Sequence, residues 1–441
     1  MSNHLSRRGF LGLGAGTTAA ALAGCSGFTP KSSTAAGSTA TAGKTLVFRW
    51  WGGDARNQAY QAALKIFTQK TGIAVTTQYS GYDGYFDKLN TEFAGGNPPD
   101  IFQMDTALVS TYASKNVLID LTQYVPGTIQ LSTLYAQLRT AGTVNGKNYG
   151  VASGSGYAPV LYDKTVLDTL KIDAPADTWT WDDFAVVTNE ISKAWGSGKY
   201  GALDASNDDS GAFQPWLRQR GKDLYTSKQV LGFDSADLTE WFSFWAGLRK
   251  TGAISPATLL ANAGEASGTH PLIAGQVAMT TGWGLAQMQP LTPHTLKIVV
   301  VPRSSEGKTG QALNGGVLLS VPQKSTNPVG AAKLIDFFLT DDDAIKAMGT
   351  TRGLPPSDKA KSLLLPTLTA SQQEDVNYGQ YVAAQAAKDG LAAAPVSPPG
   401  YGDVKTALDS AAKQVAFGKM SISAAVSQFF SDAQTSLNNA K

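Results

Sequence analysis

Apolar and polar residues between positions 45 and 72 follow first the pattern of a strand and then that of a helix. Residues 45–51, TLVFRWW, are a short apolar run rich in aromatic side chains, and Gly52 follows them. Residues 60–67 then place apolar side chains three and four positions apart, up to a stop at Gly72. This spacing predicts a buried strand followed by an amphipathic helix.

The same alternation continues as far as residue 104. Residues 73–79 form a second strand-like run, and the apolar positions within 86–93 predict a second helix that ends at Gly95. Residues 100–104 form a third strand-like run. The order strand, helix, strand, helix, strand predicts an α/β fold with a parallel sheet and right-handed crossovers.

The carboxyl ends of these strands are where we expect a ligand, because ligands of parallel α/β sheets bind beyond them. These ends lie at residues 50–54 and 103–105. Since adjacent residues of a strand face opposite sides, one of Trp50 and Trp51 is expected in the core. We expect the other, Trp51, to face the ligand.

The rest of the chain is richer in helix patterns. Residues 180–183, TWDD, fit a capping box at a helix start. Apolar stripes predict further helices at residues 241–248, 331–338 and 426–437. Strand-like runs return late, at residues 296–301 and 316–321.

The N-terminus has the features of an export signal. Residues 1–24 carry the pair Arg7 and Arg8, followed by an uncharged apolar stretch too short to span a bilayer, which predicts a twin-arginine signal. The segment runs LAGC up to Cys25 and resembles a bacterial lipobox, which implies cleavage before Cys25 and lipid attachment to it. The alternative is a chance cysteine in an ordinary cleaved signal.

The next segment, residues 25–44, is almost wholly Ser, Thr, Ala and Gly after its cysteine. Such a composition cannot bury enough apolar area to offset the entropy of ordering, so we expect a flexible tether. A lipid on Cys25 would then hold a globular body on the outer face of the cell membrane.

Length and composition limit what the folded part can be. The 441 residues exceed the roughly 250–300 at which a single core stops growing, which favours two domains. Hydrophobic residues make up 42%, enough for a substantial core. The net charge of +2 provides no basic field for nucleic acid.

The shortage of reactive side chains excludes several classes of function. One Cys cannot form an internal disulfide or a Cys-based zinc site, and three His leave little for a Ser-His triad. We therefore expect no catalytic residues, no metal and no cofactor. A glycosidase would need two carboxylates about 5–10 Å apart, which the sequence alone does not place.

Several short motifs, taken together, resemble one family. Residues 95–101, GGNPPDI, look like a turn of the family 1 extracellular solute-binding proteins, which are the capture subunits of ABC importers, chiefly for sugars. The chain departs from the family pattern at Ala152 and Asp163, where Pro and Asn are usual. Further segments similar to blocks of the family are residues 146–151, 160–164, 179–184, 275–279, 315–317, 331–339 and 417–421.

This resemblance implies two α/β lobes of the periplasmic-binding-protein type, with a hinged ligand cleft between them. The first lobe would comprise residues 45–157 and 286–326. The second would comprise residues 158–285 and 327–441. The expected protein is a monomer that binds a carbohydrate and hands it to the ABC permease subunits in the membrane.

Sugars present hydroxyl edges and C–H faces, so their sites need polar groups and aromatic planes. Trp283 is the strongest stacking candidate, because glycines on both sides let the backbone approach a ligand. The resemblance adds Asp105, Trp216 and Tyr401. The complete set of expected ligand-binding residues is Trp51, Asp54, Arg56, Tyr82, Asp105, Ser155, Tyr157, Trp216, Trp283, Asn314, Gly315, Gly316 and Tyr401.

The nature of the ligand stays open at this level. We expect a sugar or oligosaccharide rather than glycerol phosphate, because no cluster of Arg and Lys and no glycine-rich helix start is evident along the chain. The alternatives are an exported carbohydrate-active enzyme, a binding protein for glycerol phosphate or another small solute, and a structural protein of the cell wall.

Overall fold

The computed structural model describes residues 43–82, 84–262 and 266–440. The predicted signal segment 1–24, the lipid attachment site Cys25 and nearly all of the predicted tether 25–44 lie outside the described residues. Within the described residues, no helix combines the length and the hydrophobicity needed to cross a membrane.

The described residues form three sheets surrounded by helices. The strands are β1 (Thr45–Trp51), β2 (Ala74–Ser80), β3 (Ile101–Asp105), β4 (Thr143–Val144), β5 (Lys147–Asn148), β6 (Val151–Ala152), β7 (Val160–Asp163), β8 (Met279–Thr281), β9 (Leu296–Val299) and β10 (Val317–Ser320). The α-helices are α1 (Asp54–Thr71), α2 (Tyr85–Ala94), α3 (Val109–Ser114), α4 (Lys164–Leu170), α5 (Trp181–Trp195), α6 (Gln214–Arg218), α7 (Ser235–Thr251), α8 (Leu285–Met288), α9 (Pro328–Thr340), α10 (Asp342–Met348), α11 (Asp358–Leu364), α12 (Ala370–Lys388), α13 (Tyr401–Ala416) and α14 (Ile422–Asn439).

The first sheet has the strand order β2-β1-β3-β10-β6. β1 pairs in parallel with β2 and β3, as the alternation of strands and helices predicts. β10 runs antiparallel to β3 and to β6, so the sheet is mixed. The reversal arises because β10 arrives from another sheet and not through a crossover helix.

The core of this first lobe lies between the sheet and its helices. The ring of Phe48 on β1 packs against Tyr60 of α1, with 5.0 Å between ring centroids, and against Phe338 of α9. Phe67 and Phe337 join α1 to α9 in the same way. All five rings are buried, so α9 belongs to the core of this lobe.

The second lobe contains the antiparallel sheet β8-β7-β9. Its helices bury a large aromatic cluster, in which Trp181 meets Trp241 edge-on at 5.7 Å and Trp245 lies beside both. The chain leaves the first sheet after β6 to enter this sheet at β7, and it returns from β9 to β10. The result is the two-lobe fold expected from the resemblance.

Two segments lie in a different lobe from the one that the sequence indicates. β9 falls within the segment 286–326, which was expected in the first lobe, yet it pairs with β7 along four residues. α9 falls within the segment 327–441, expected in the second lobe, yet it packs on β1. Both placements depend on pairings between distant segments, which local pattern does not encode.

The strand β1 begins at Thr45, where the sequence predicts its start, and the side chain of Asn327 holds this start in place. The Asn327 side chain accepts a hydrogen bond from Gly43 N at 2.9 Å and donates to the carbonyls of Gly43 and Thr45. It also accepts from Gly330 N and so caps α9. The start of β1 is therefore fixed by a residue almost three hundred positions away.

Asp100 connects three separate parts of the first lobe. One carboxylate oxygen accepts from Val47 N of β1 at 2.8 Å. The other accepts from Ser325 Oγ, from Thr326 N and Oγ1, and from Asn327 N, just before α9. Asp100 is only 6% exposed, so these bonds replace the water that an ionised carboxylate requires.

We predict that Asp100→Asn lowers the free energy of unfolding by about 2–3 kcal/mol, because an amide cannot accept on both sides and hydrogen bonds to charged groups are strong. Urea unfolding of the soluble chain measures this. Asp173→Asn is the control, since Asp173 is exposed. A loss no larger in the Asp100 variant than in the control would contradict the role given to this carboxylate.

Candidate functional site

Three adjoining cavities lie where the chain crosses between the lobes. The Arg56 cavity, of about 550 Å³, is lined among others by Arg56, Ser155, Tyr157, Gly316, Arg352 and Asp375. The Asn314 cavity, of about 320 Å³, is lined among others by Tyr157, Asp208, Gln214, Gln311 and Asn314. The Trp283 cavity, of about 470 Å³, is lined among others by Asp204, Asp208, Trp283, Lys405 and Lys413.

These cavities share residues and so form one groove, here called the cleft. Tyr157 lines the Arg56 and Asn314 cavities, and Asp208 lines the Asn314 and Trp283 cavities. Gly282 lines all three. Because the lining comes from α1 and the loop after α10 in the first lobe, from β8 in the second lobe and from both crossing segments, the cleft lies between the lobes.

The first crossing segment is held in place by Ser155 and Tyr157. Ser155 exchanges two backbone hydrogen bonds with Leu354, at 2.9 and 2.7 Å. Tyr157 donates its hydroxyl to Asp375 of α12 at 2.5 Å. Burial and the neighbouring Asp375 carboxylate raise the pKa of Tyr157 far above its usual value, so the phenol remains a neutral donor.

Asp375 connects the crossing segment to two helices of the second lobe. Besides Tyr157, it accepts from the backbone N–H groups of Leu285 and Ala286, at 2.9 and 2.8 Å. These N–H groups open α8, where the helix itself offers them no acceptor. The carboxylate therefore ties the first crossing segment to α8 and α12.

Arg56 reaches the cleft from the first turn of α1. Its Nε donates to the Thr351 carbonyl at 2.8 Å and its Nη1 to the Trp51 carbonyl at 3.0 Å. These bonds hold the guanidinium at the carboxyl end of β1, the position at which the sequence predicts a ligand.

Asp208 is the carboxylate of the second lobe that faces the cleft. It accepts from Gly211 N at 2.8 Å and from Thr281 Oγ1 at 2.7 Å. The adjacent Asp209 accepts from Tyr401 Oη and Lys405 Nζ. Burial raises the pKa of Asp208, and the negative charge of Asp209 adds to that rise.

Trp283 lies partly buried in its cavity, with its ring edge-on to His270 at 6.1 Å. The preceding Gly282 has φ of +87°, a conformation that side chains disfavour. The backbone there can turn sharply, as the flanking glycines lead us to expect, and this turn places the indole in the Trp283 cavity.

Trp51, Tyr82 and Asp105 form a separate edge on the first lobe. Tyr82 donates to Asp105 Oδ2 at 3.0 Å, and Trp51 packs edge-on against Tyr82 at 5.5 Å. Burial and the Asp105 carboxylate raise the pKa of Tyr82 to about 12. Tyr82 is 51% exposed, so this edge offers an aromatic face and a carboxylate together. Asp54 is exposed at the first position of α1.

The two lobes also touch beyond the cavities. Gln229 of the second lobe donates its side-chain amide to Ser110 Oγ of the first lobe at 3.1 Å. Burial and the Asp209 carboxylate, which accepts from Tyr401 Oη at 3.0 Å, raise the pKa of Tyr401. Asp105 lies on the first lobe beside Tyr82, and Tyr401 lies in the second lobe beside Asp209.

Trp216 does not fit its predicted role in ligand stacking. It is only 3% exposed, because its ring packs between Phe213 and Trp241. The Arg220 guanidinium covers it at 3.4 Å from the ring centroid. This is a core position, and its aromatic neighbours leave no face free for a sugar.

Gly315 is also buried rather than presented to a ligand. A Cβ built there would lie 2.6 Å from Ala141 and 3.1 Å from Thr106, so the glycine permits close packing. Its neighbours differ: Asn314 is exposed in its own cavity, and Gly316 lines the Arg56 cavity. Asn314 Oδ1 accepts from Gly316 N at 3.1 Å.

Sequence reasoning missed several charged residues of the cleft, among them Asp208, Arg352 and Asp375. Asp208 lies in the polar segment DASNDDS, residues 204–210, in which no motif marks one acidic residue over another. Arg352 lies between Thr351 and Gly353 in a short loop after α10, and an arginine in such a loop was the one local signal.

Comparison with known proteins agrees with this geometry. A family model described as bacterial extracellular solute-binding protein matches residues 62–380. An extracellular solute-binding protein family 1 structure from Alicyclobacillus acidocaldarius is 26% identical, with a TM-score of 0.73, and the match covers 91% of this chain and 100% of that one.

Two further structures share the fold at 19% identity. One is an ABC substrate-binding protein from Listeria monocytogenes in complex with cycloalternan, with a TM-score of 0.70, covering 89% of this chain and 99% of that one. The other is a periplasmic oligogalacturonide-binding protein from Yersinia enterocolitica, with a TM-score of 0.74, covering 90% of this chain and 99% of that one.

The raised pKa of Asp208 gives a prediction about pH. A carboxyl group whose pKa is higher in the folded state stabilises the protein at low pH, and this contribution disappears as the pH rises through the folded pKa. Compared with wild type, Asp208→Asn should therefore be relatively more stable at pH 7 than at pH 4. Melting temperatures across this range measure it.

The control for this pH series is Asp403→Asn, since Asp403 is exposed. If the Asp208→Asn variant and wild type differ by a constant amount at every pH, Asp208 is not the titrating group.

Proposed function

Since the chain belongs to the bacterial extracellular solute-binding proteins, we propose that it captures a sugar or oligosaccharide in the cleft and delivers it to the permease of an ABC importer. The observation that carries this proposal is a cleft that both lobes line with polar groups and with the aromatic rings of Tyr157 and Trp283. A saccharide needs this combination of donors, acceptors and ring faces.

The ligands of the related structures support the same class of solute. The Listeria protein is described in complex with cycloalternan, and the Yersinia protein as binding oligogalacturonides. Both names denote carbohydrates of several sugar units. The volumes of the three adjoining cavities suit a ligand of more than one ring.

In this proposal each lobe contributes its own contacts. Arg56, Ser155 and Gly316 belong to the first lobe or its crossing, and Asp208 and Trp283 belong to the second. A ligand that touches both sets stabilises the closed form by its differential affinity for it. The hydrogen bond between Gln229 and Ser110 is available only when the lobes are close.

We also propose that the protein works outside the cytoplasm as a lipoprotein. The description of the family as extracellular supports this location, and a lipid on Cys25 would hold the protein at the outer face of the membrane. Anchoring keeps the released solute near the permease, because a tethered module has a high effective concentration at its partner.

The hydrogen bonds of the cleft carboxylates favour binding of an unchanged ligand over catalysis. Asp375 accepts three protein hydrogen bonds and Asp208 accepts two, so both are engaged in holding the fold. A general acid or nucleophile needs a carboxyl free to meet its substrate.

A thermal-shift screen against mono- and oligosaccharides tests the proposal. A ligand that binds only the folded state raises the melting temperature by mass action. The ligand should then be recovered unchanged by chromatography after prolonged incubation. A panel in which no saccharide stabilises the protein would contradict the proposed ligand class, and a cleaved saccharide would indicate an enzyme.

We predict that Trp283→Ala weakens binding of the stabilising saccharide at least tenfold, or about 1.4 kcal/mol, through loss of the stacking face. Isothermal titration measures the change. Trp195→Ala is the control, because Trp195 is the last residue of α5 and lies outside the cleft. Lys199 Nζ lies 5.3 Å from the centroid of its ring. Equal affinities in wild type and the Trp283 variant would remove this indole from the site.

Gln229→Ala tests the closing contact. Loss of one neutral hydrogen bond costs about 0.5–1.5 kcal/mol, so the closed form should lose up to about tenfold in population and the apparent affinity should fall accordingly. Small-angle scattering with and without ligand gives the compaction. Lys228→Ala, in the same loop, should behave as wild type; if Gln229→Ala does so too, this contact does not govern closure.

A further inference from the structure

Two arginines converge on the Arg56 cavity without a carboxylate partner. Arg56 and Arg352 both line it. In the described part of the chain, neither forms an ion pair, whereas Arg49, Arg218, Arg220 and Arg249 each do. The one carboxylate that lines the same cavity, Asp375, is already occupied by three protein donors.

Arg352 is the more buried of the two, at 7% exposure. Its guanidinium carbon lies 4.9 Å from the ring centroid of Phe338 and 5.8 Å from that of Tyr60. Its Nη1 is buried and has no hydrogen-bond partner among the described residues. A buried cation without a counter-charge is unfavourable, so this arrangement needs a reason.

Arg56 is oriented by its surroundings toward the same place. Its two carbonyl acceptors, on Thr351 and Trp51, are neutral and leave its charge uncompensated. Gly52 makes room for it: a Cβ there would stand 2.6 Å from Arg56 Cδ, and φ at this glycine is +148°. Thr351 precedes Arg352, so the Arg56 guanidinium lies against the backbone from which the Arg352 side chain projects.

We propose, on the basis of the function proposed above, that the solute is an acidic saccharide whose carboxylate is bound in the Arg56 cavity by Arg56 and Arg352. Two positive charges at a partly closed cavity favour an anion, and a guanidinium matches a carboxylate with paired hydrogen bonds. The rest of the same saccharide extends into the Asn314 and Trp283 cavities.

This ligand class differs from the neutral sugar that the sequence indicates. No cluster of basic residues is visible along the chain, because 295 positions separate Arg56 from Thr351. The cluster forms only when α1 and the loop after α10 meet at the end of β1. The uncompensated charge is therefore a property of the fold.

The experiment compares matched pairs of saccharides that differ in one carboxylate. Galacturonic acid is measured against galactose, glucuronic acid against glucose, and a uronate trisaccharide against its neutral counterpart, by thermal shift and titration calorimetry. The acidic member should bind at least about tenfold more tightly in one pair or more. Its affinity should fall as salt is raised, because ions screen the attraction.

Variants identify the residues. Arg56→Gln should abolish the preference for the acidic member of each pair, and Arg56→Lys should restore part of the preference. Arg352→Lys keeps the charge if Arg352→Gln fails to fold. Arg139→Gln is the matched control, because Arg139 also donates to backbone carbonyls and is exposed outside the cleft.

Each outcome decides a different question. If neutral saccharides bind as tightly as acidic ones, or if Arg56→Gln keeps the preference, the inference is overturned and the proposed function stands. If inorganic sulfate or phosphate stabilises the protein as much as the uronates do, the cavity takes free anions and the inference is also overturned. If no saccharide of either kind binds, the proposed function fails with it.

Discussion

The Asp100 carboxylate is the contact on which the first lobe depends. This lobe is assembled from pieces that are far apart in the chain: β1, β3 and the segment that leads into α9. Asp100 directly precedes β3, accepts from Val47 of β1, and accepts four times from residues 325–327. A buried charge that is satisfied only when all three pieces are present makes their assembly cooperative.

The cleft inherits its geometry from this arrangement. β1 and β3 run in parallel, so their carboxyl ends meet at one edge of the sheet, and Trp51 and Asp105 end there. The loop after α10 reaches the same edge because α9 and α10 pack on the first lobe. The fold thus brings Thr351 and Arg352 to the Arg56 cavity, although 295 positions separate Arg56 from Thr351 in the chain.

Local sequence patterns predict most individual helices and strands, but they do not predict which of these elements pack or pair with one another. The capping box at Thr180 and the helix end at Gly72 are encoded by a few adjacent residues, and the structure confirms both. Pattern also separates buried Trp50 from partly buried Trp51. Local pattern does not show that Trp216 is buried and Trp283 is not, because Trp216 is covered by Trp241 of the distant helix α7. Nor does local pattern show that Arg56 and Arg352 line the same cavity.

The position of β10 has a consequence for how the protein is made. This strand lies between β3 and β6, although the whole second sheet precedes it in the chain. During synthesis, the first sheet therefore lacks β10 until residue 320 has left the ribosome. Until then the edge of β3 that pairs with β10 is unpaired. The first lobe therefore completes its sheet only after the whole second sheet has been synthesised, and the second lobe in turn awaits α13 and α14, which pack on α7.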